Sequence, residues 1–384
     1  MSTRRVYSAT LTLMAATALG ISACGGGISE TATQSSTGST PSTKIQAAAD
    51  GVVLSYTTQH TESTPLSRAI QKYGEQVAEA TEGRVTFENY YSAQLLPAAE
   101  VVNGIGDGRA DTGYVVDVMF ADQLPLTNSS SIPFDRTNGV AQAQAYQKMY
   151  EENEAFKAEY EKLGLHVLSF LPMGETILGS TFKVDTLEDL KGHSVRCLGF
   201  ICEAYEKIGG HPAAIASNEI YEAMDRKTID GWAGYPFMDV PATQLQEVSP
   251  NMTLIGLGQY SQGVFPISES VWEKISPEDQ KVMTELASKL PEMIAEENLK
   301  AEGEACEVTT EANVTLSSMA DEEVNKWKEV VYGPIYDKWV EAASQKSGTD
   351  ADAFYKDLMS AYEEILKETN FKSSFVECSE KSQR

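Results

Sequence analysis

The sequence predicts an α/β fold divided into two lobes, with a cleft between them and long helices at the C-terminal end. Three observations carry this expectation. From Val52 onward about 330 residues remain, more than one hydrophobic core usually holds. Short β-rich runs alternate with stretches of helical periodicity, the rhythm of parallel sheets covered on both faces. Late in the chain a further β-rich run returns toward the first lobe, so several crossings should join the two halves as a hinged clamp. The expected layout places residues 48–173 with about 262–301 in one lobe, and 174–261 with about 302–384, including the C-terminal helices, in the other.

The elements follow in order. Val52-Val53-Leu54-Ser55-Tyr56 is a β-rich run, and Pro65 to Ala80 carries Leu66, Ile70, Tyr73 and Val77 at helical spacing. Val85 to Tyr90 alternates as a second strand. Ala98 to Gly108 reads as a helix ended by glycine, and Thr112 to Val116 as a third strand. A long helical tract, about Asn138 to Leu163, leads through Gly164 into His166 to Leu171, the strand that should carry the chain between lobes. The second lobe opens with a short helix, Thr186 to Leu190, capped by Thr186 or Asp185. A strand His193 to Leu198 comes next, then a helix Ile201 to Ile208 closed by Gly209-Gly210, then Glu219 to Met224 before Ile229-Asp230-Gly231-Trp232. Gly263 to Ser268 is the return strand. From Pro277 the chain is strongly helical, interrupted by a strand near Val308 to Leu316. No internal repeat stands out beyond this rhythm.

The N-terminus sets the compartment. Arg4 and Arg5 precede an apolar run, Ala9 to Ile21, that ends in Ser22 and Ala23, which makes residues 1–23 a secretory signal. The run is too short for a mature spanning helix, which needs ~20 residues. Ile21-Ser22-Ala23-Cys24 resembles a bacterial lipobox. That resemblance implies that Cys24 becomes the new N-terminus and carries lipid, anchoring the protein at the outer face of the cytoplasmic membrane, in a periplasm or at the cell surface. Residues 24–47, poor in apolar side chains, then form a flexible tether.

With 30 basic against 56 acidic residues the net charge is −26, so nucleic acid is excluded as a natural partner. An acidic protein that takes an anion needs a local positive group in its site, which makes single buried arginines informative. After Cys24 four cysteines remain, Cys197, Cys202, Cys306 and Cys378, an even number in an oxidising compartment. Three pairings are open. Cys197 with Cys202 and Cys306 with Cys378 is the most economical. A zinc site competes poorly, because the spacing is not Cys-x-x-Cys and the four histidines do not cluster near it. No metal and no cofactor is expected.

Four segments, taken in order, resemble one family: the periplasmic substrate-binding subunits of tripartite ATP-independent periplasmic (TRAP) transporters, or DctP family. Tyr91-Ser92-Ala93-Gln94-Leu95 is similar to its S-x-Q-L after the second strand. Gly104 to Tyr114, GIGDGRADTGY, resembles its segment of apolar residues around Gly and Asp. Thr186 to Arg196, TLEDLKGHSVR, resembles its T-P-E-D-L-K-G stretch ending in Arg, and Glu219 to Gly231, EIYEAMDRKTIDG, resembles its E-V-Y-x-A-L-Q-x-G-x-V-D-G. The likeness runs over about Val52 to Leu290. It implies a periplasmic-binding-protein-like fold and a receptor that closes on a small organic acid. It also implies a small and a large TRAP membrane subunit as partners, and a monomer without chemistry of its own.

The arginine that closes the third segment pairs with the ligand carboxylate in that family, and Arg196 matches it. A guanidinium offers two parallel donors in a fixed plane and stays charged in a dry cleft. The competing reading is an arginine paired with one of the 56 acids. After Asp230-Gly231 the family has a polar run, whereas this chain has Trp232-Ala233-Gly234-Tyr235-Pro236, with Gly234 where an amide is expected. Met173 to Ile177 lacks the cation that many members carry there. Both departures speak against an ordinary sugar acid or dicarboxylate.

Trp232 and Tyr235 either offer flat faces to a cyclic ligand or pack in the core. Gln59 and His60, after the first strand, either contact ligand or decorate a surface loop. Asp117 would accept hydrogen bonds from a ligand or face Arg196, and Phe170 and Glu175 are pocket or hinge candidates. Other functions have weaker support. No Gly-x-Ser-x-Gly, His-Glu-x-x-His or phosphate-loop motif marks a hydrolase or another enzyme. A sensory receptor that presents its solute to a membrane signalling protein is the leading alternative.

Overall fold

The fold was analysed in a computed structural model, which describes residues 51–215, 217–369 and 373–382. The secretory signal, Cys24 and the tether lie outside the described residues. Among the described residues twelve strands form two six-stranded sheets. In chain order they are β1 (Val52–Thr57), β2 (Val85–Tyr90), β3 (Thr112–Gly113), β4 (Val115–Val116), β5 (Leu165–Leu171) and β6 (Thr176–Ser180). They continue with β7 (Ser194–Arg196), β8 (His211–Ala213), β9 (Gly231–Pro236), β10 (Asn251–Leu254), β11 (Gly263–Ser268) and β12 (Thr315–Ser318).

The first sheet runs β2-β1-β3-β11-β4, with β5 paired to β11; the second runs β12-β10-β6-β9-β7-β8. Both sheets are mixed, not parallel as the sequence rhythm suggested. β1 is parallel to β2 and β3, but β11 is antiparallel to β3, β4 and β5. Likewise β7 is parallel to β8 and β9, but β6 is antiparallel to β9 and β10. The reason lies in the crossings. Within a lobe, strand–helix–strand units return each strand in the same direction. β6 and β11 arrive instead from the other lobe, and so enter their sheets reversed.

Each sheet buries apolar side chains on both faces. In the first lobe one core gathers Tyr146, Phe156 and Phe170 and another Tyr56, Tyr73 and Phe265. In the second, Leu178, Val195 and Ala233 face one core, and Ile177, Trp232 and Met252 the other. Two long helices tie the lobes together. Leu290–Glu311 places Leu290 and Ile294 in a first-lobe core and Ala305 in a second-lobe core. Asp321–Ser347 does the same with Trp327 below and Trp339 above.

Three local expectations need correction. The tract 138–163 is two helices, Gly139–Glu152 and Glu154–Glu161, because Asn153 leaves the helical region and its side chain caps Phe156 N at 3.0 Å. The strand placed at 308–316 is mostly helix: Thr309 and Thr310 bond back to the carbonyls of Ala305 and Cys306 at 2.6 and 2.7 Å, and only Thr315–Ser318 is extended. The helix Ala351–Leu366, assigned on sequence to the second lobe, packs Phe354, Tyr355 and Leu358 into a first-lobe core. Its apolar face continues the surface offered by Gly139–Glu152, which a boundary drawn along the chain does not anticipate.

Disulfides join Cys197 to Cys202, at the start of the helix Gly199–Lys207, and Cys306 to Cys378, fastening the helix Ser374–Ser382 to the long helix Leu290–Glu311. The second spans 72 residues and so restrains the unfolded chain far more than the first, which spans 5. No helix among the described residues is long and apolar enough to cross a membrane.

Candidate functional site

Arg196 ends β7, held between β8 and β9. Its side chain is 1% exposed. Nε donates to Ile215 O at 2.8 Å, Nη2 to Ser217 Oγ at 3.2 Å, and Nη1 to Ala233 O at 3.4 Å. A guanidinium has five donors, and among the described residues three of them meet neutral acceptors. Among the described residues no carboxylate pairs with it. Desolvation lowers its pKa, while the Tyr235 and Tyr260 hydroxyls favour the charge.

A second buried arginine shows the contrast. Arg136 is also 1% exposed, yet it donates to Gln142 Oε1 (3.0 Å), Tyr355 Oη (3.0 Å), Ser129 O (2.7 Å) and Ile132 O (3.2 Å). It knits the loop before the helix Gly139–Glu152 to the helix Ala351–Leu366. Arg136 meets four oxygen acceptors, Arg196 three among the described residues.

Both lobes contribute to the surroundings of Arg196. In β9 the pairing with β6 shifts at Gly234, where φ is +75°, so one extra residue enters the strand. The shift turns Tyr235 to the same side as Trp232, ring edge to ring face at 6.1 Å, with its hydroxyl in electrostatic reach of Arg196 and Asp239. Tyr260, on the crossing into β11, donates to Leu198 O at 2.8 Å and lies in reach of Arg196 and Asp117. It can approach because residue 199 is glycine: φ is +49° there, and a Cβ would sit 2.5 Å from the Tyr260 hydroxyl.

From the first lobe, Asp117 follows β4 and is fully buried, accepting from Gln262 N at 2.7 Å and from Ser130 Oγ. Desolvation pushes its carboxyl up to about 7. His60 packs on Tyr114 with ring centroids 5.1 Å apart, and burial pushes its pKa down to about 4, so it is neutral at physiological pH. The Gln59 Oε1 beside it is buried without a partner among the described residues.

Sequence reasoning missed Asp239. It ends the single 3-10 turn after β9, half-buried, and its carboxylate has no hydrogen-bond partner among the described residues. Desolvation pushes it up to about 7, and it lies in reach of the Tyr114 and Tyr235 hydroxyls. No motif marks the position, since only the fold brings it opposite the first lobe.

Arg196, Gly234 and Tyr235 thus lie around β9 and Tyr260, with Asp117 in electrostatic reach of Tyr260, while His60 packs on Tyr114 with Gln59 next to it in the chain. Three other candidates lie elsewhere. Trp232 is fully buried in a second-lobe core, its Nε1 donating to Ser249 Oγ at 2.8 Å. Phe170 is core of the first lobe, stacked on Phe156 at 5.8 Å. Glu175 lines a cavity of about 240 Å³ with Glu302, Gln259 and Ser373, which shares no lining residue with the arginine region. Strand alternation places the two aromatic rings in cores, and the reversal of the chain into β6 carries Glu175 away.

The buried acids make a prediction about pH. Asp117, Asp239, Glu159 and Glu175 are each pushed up to about 7 by desolvation, so below that pH the folded chain holds protons that the unfolded chain has lost. Their contribution to stability is fully present below the ordinary carboxyl range and is lost as pH rises through about 7. His60 and His166, both pushed down to about 4 by burial, act oppositely between their ordinary value and about 4, but they are two against four. The ligand-free protein should therefore melt several degrees higher near pH 5 than near pH 8. A calorimetric scan that shows the reverse order would refute the assigned burial.

Comparison with known proteins places this geometry. A family model described as bacterial extracellular solute-binding protein, family 7, matches residues 56–342. A marine metagenome TRAP solute-binding protein, specific for aromatic acid ligands and solved with metahydroxyphenylacetate, superposes with a TM-score of 0.73 at 19% identity over 82% of this chain and 99% of its own. A TRAP periplasmic solute-binding protein from Bordetella bronchiseptica, solved with mandelate, gives 0.71 at 22% identity over 82% and 99%. The outer membrane transporter protein TsaT of Comamonas testosteroni is 24% identical over 305 residues, 76% of this chain and 87% of its own length.

Proposed function

The chain belongs to the bacterial extracellular solute-binding protein family 7, a family of binding proteins and not of enzymes, and from that premise we propose that it is the extracytoplasmic receptor of a TRAP-type transporter. Its ligand is a small organic acid whose carboxylate Arg196 receives between the lobes. One observation carries this reading: Arg196 is buried and, among the described residues, meets only neutral acceptors and no carboxylate, in a chain whose formal net charge is −26. A desolvated cation left unpaired is costly, and an anionic ligand repays that cost.

Tyr235 and Tyr260 lie in electrostatic reach of the guanidinium, and in this reading they meet the body of the acid. The solved relatives with bound aromatic acids support a ring-bearing ligand. Strands and loops crossing between the lobes provide the hinge, and ligand stabilises the closed form that a small and a large membrane subunit would recognise. The lipobox-like Ile21 to Cys24 supports a lipid anchor on Cys24, which the intact mass of the membrane-bound protein tests.

A thermal-shift screen of residues 48–384 against aromatic, alicyclic and keto acids, sugars and amino acids tests the receptor reading. A specific ligand at ~100-fold its Kd adds ~2.7 kcal/mol of stability. Shifts confined to neutral sugars would discard the carboxylate clamp.

A further inference from the structure

The cavity of about 240 Å³ that Glu175 lines sits where the chain crosses between the lobes, apart from the arginine region. Its walls come from the first lobe at Gly139 and Met173, from the second at Ile177 and Leu254, and from the long helix Leu290–Glu311 that joins them. Pockets for drug-sized ligands hold ~300 to 1,000 Å³, so an occupant here is small.

Two carboxyls face into this space. Glu175 is bridged through its backbone to Gln259, and cross-strand partners point to one side, so the carboxyl and the amide are aimed together. Gln259 Nε2 is spent on Thr137 O at 2.9 Å, while its Oε1 is buried without a partner among the described residues. Glu302 enters from the long helix. Cys306, one turn beyond it, is bonded to Cys378, one turn beyond Ser374, so the disulfide holds that face of the helix beside Ser373 and Ser374. Burial and the neighbouring Glu302 push Glu175 up to about 7, and burial raises Glu302 as well. Among the described residues no lysine or arginine lines the cavity to neutralise either acid.

A proton would answer an acidic pair alone, but Asn298 is an independent sign of a ligand. It is 8% exposed, lines the same cavity one turn before Glu302, and its side-chain amide makes no hydrogen bond among the described residues. Buried polar groups are rarely left so. The remaining walls are apolar: Met173, Leu254 and Phe237, the last braced edge-on by Phe375 at 5.0 Å. Calcium takes ~6 to 8 oxygen ligands, more than this half-apolar lining supplies. A primary ammonium has three donors and an apolar stem, which matches it.

We propose that this cavity is a second binding site, for a small organic ammonium: its N–H groups meet Glu175, Glu302 and the Asn298 amide oxygen, and its alkyl body lies against Met173, Leu254 and Phe237. The occupant touches both lobes and the helix that joins them, so it fastens the junction about which the receptor closes.

n-Butylammonium chloride and its neutral counterpart n-butanol, titrated calorimetrically into the intact protein near pH 8 at constant ionic strength, test the assignment. Hydrogen bonds to charged groups predict saturable binding of butylammonium at least about tenfold tighter than n-butanol. Glu175→Gln and Glu302→Gln should each weaken it about tenfold or more, and Asn298→Ala severalfold. Leu299, 62% exposed, stands at the mouth of the cavity, so Leu299→Lys leaves the core intact and tethers an ammonium over the acids. That variant should exclude the probe about tenfold or more and melt higher than wild type. Butylammonium that fails to bind, or binds no better than n-butanol, overturns the site. Unchanged affinity in both glutamine variants also overturns it, as diffuse attraction to an acidic surface. Displacement of butylammonium by equimolar sodium or magnesium overturns the ligand class. If the glutamine variants do not fold, Leu299→Lys decides alone, and wild-type affinity there overturns the proposal. None of these outcomes involves Arg196, so the carboxylate reading stands or falls by its own screen.

Discussion

Arg196→Ala is expected to weaken binding of the acidic ligand by ~2 to 5 kcal/mol, roughly 30-fold to several thousand-fold. A desolvated guanidinium aimed at a carboxylate supplies two charge-assisted hydrogen bonds, and no other permanent cation is present among the residues gathered there to replace it. The fold itself should respond differently. A structural arginine in a buried pair destabilises the protein strongly when removed, because its partner is stranded. Arg196 has no charged partner, so the substitution strands only the neutral acceptors Ile215 O, Ala233 O and Ser217 Oγ, and relieves the cost of a desolvated cation. Melting of the ligand-free variant within about a degree or two of wild type, together with lost binding, would separate the two roles. Arg136→Ala is the opposing control: saturated by four acceptors at the junction of two helices, it should lower stability by a few kcal/mol, with ~2 or more expected for broken buried networks.

Trp232→Ala should cost ~3 to 5 kcal/mol of folding stability, the range for emptying a fully buried large aromatic site. The indole is 0% exposed and closes a second-lobe core with Ile177, Phe237 and Met252. It also lies so close to β6 that a Cβ on Gly179 would come within 2.2 Å of the ring. Gly179→Ala should therefore reproduce much of the loss by overpacking. Trp232→Phe keeps most of the apolar volume and gives up the bond to Ser249 Oγ, so it should lose less than the alanine variant and bind ligand as wild type does. Urea unfolding and calorimetry together decide the point. A Trp232→Phe variant with native stability and lost affinity would return the ring to the ligand surface.

Regular periodicity was legible wherever it is governed by local chemistry. The helix Pro65–Ala80 and the strands β2 and β11 have the bounds that apolar spacing and Pro65 suggested. Asn153 was passed over because its role depends on whether its side chain turns back to cap the next helix, which the neighbouring residues alone do not dictate. The faces of β9 were not legible for a similar reason. One extra residue at Gly234 reverses the face of everything after it, so Trp232 and Tyr235, an odd number of residues apart, share a side.

The sequence by itself determined the α/β class, the order of nearly every element, the two lobes and the arginine at the end of β7. These follow from burial patterns, turn residues and motifs that act over a few residues. The tertiary structure alone decided which polar groups are left without partners. Arg136 and Arg196 are the same residue type and equally buried, yet among the described residues Arg136 gains, beside its local acceptors, Tyr355 from more than two hundred residues away, while Arg196 meets only neutral acceptors within forty residues of it. Pairing is a long-range property, because desolvation and hydrogen bonding depend on what the folded chain brings alongside.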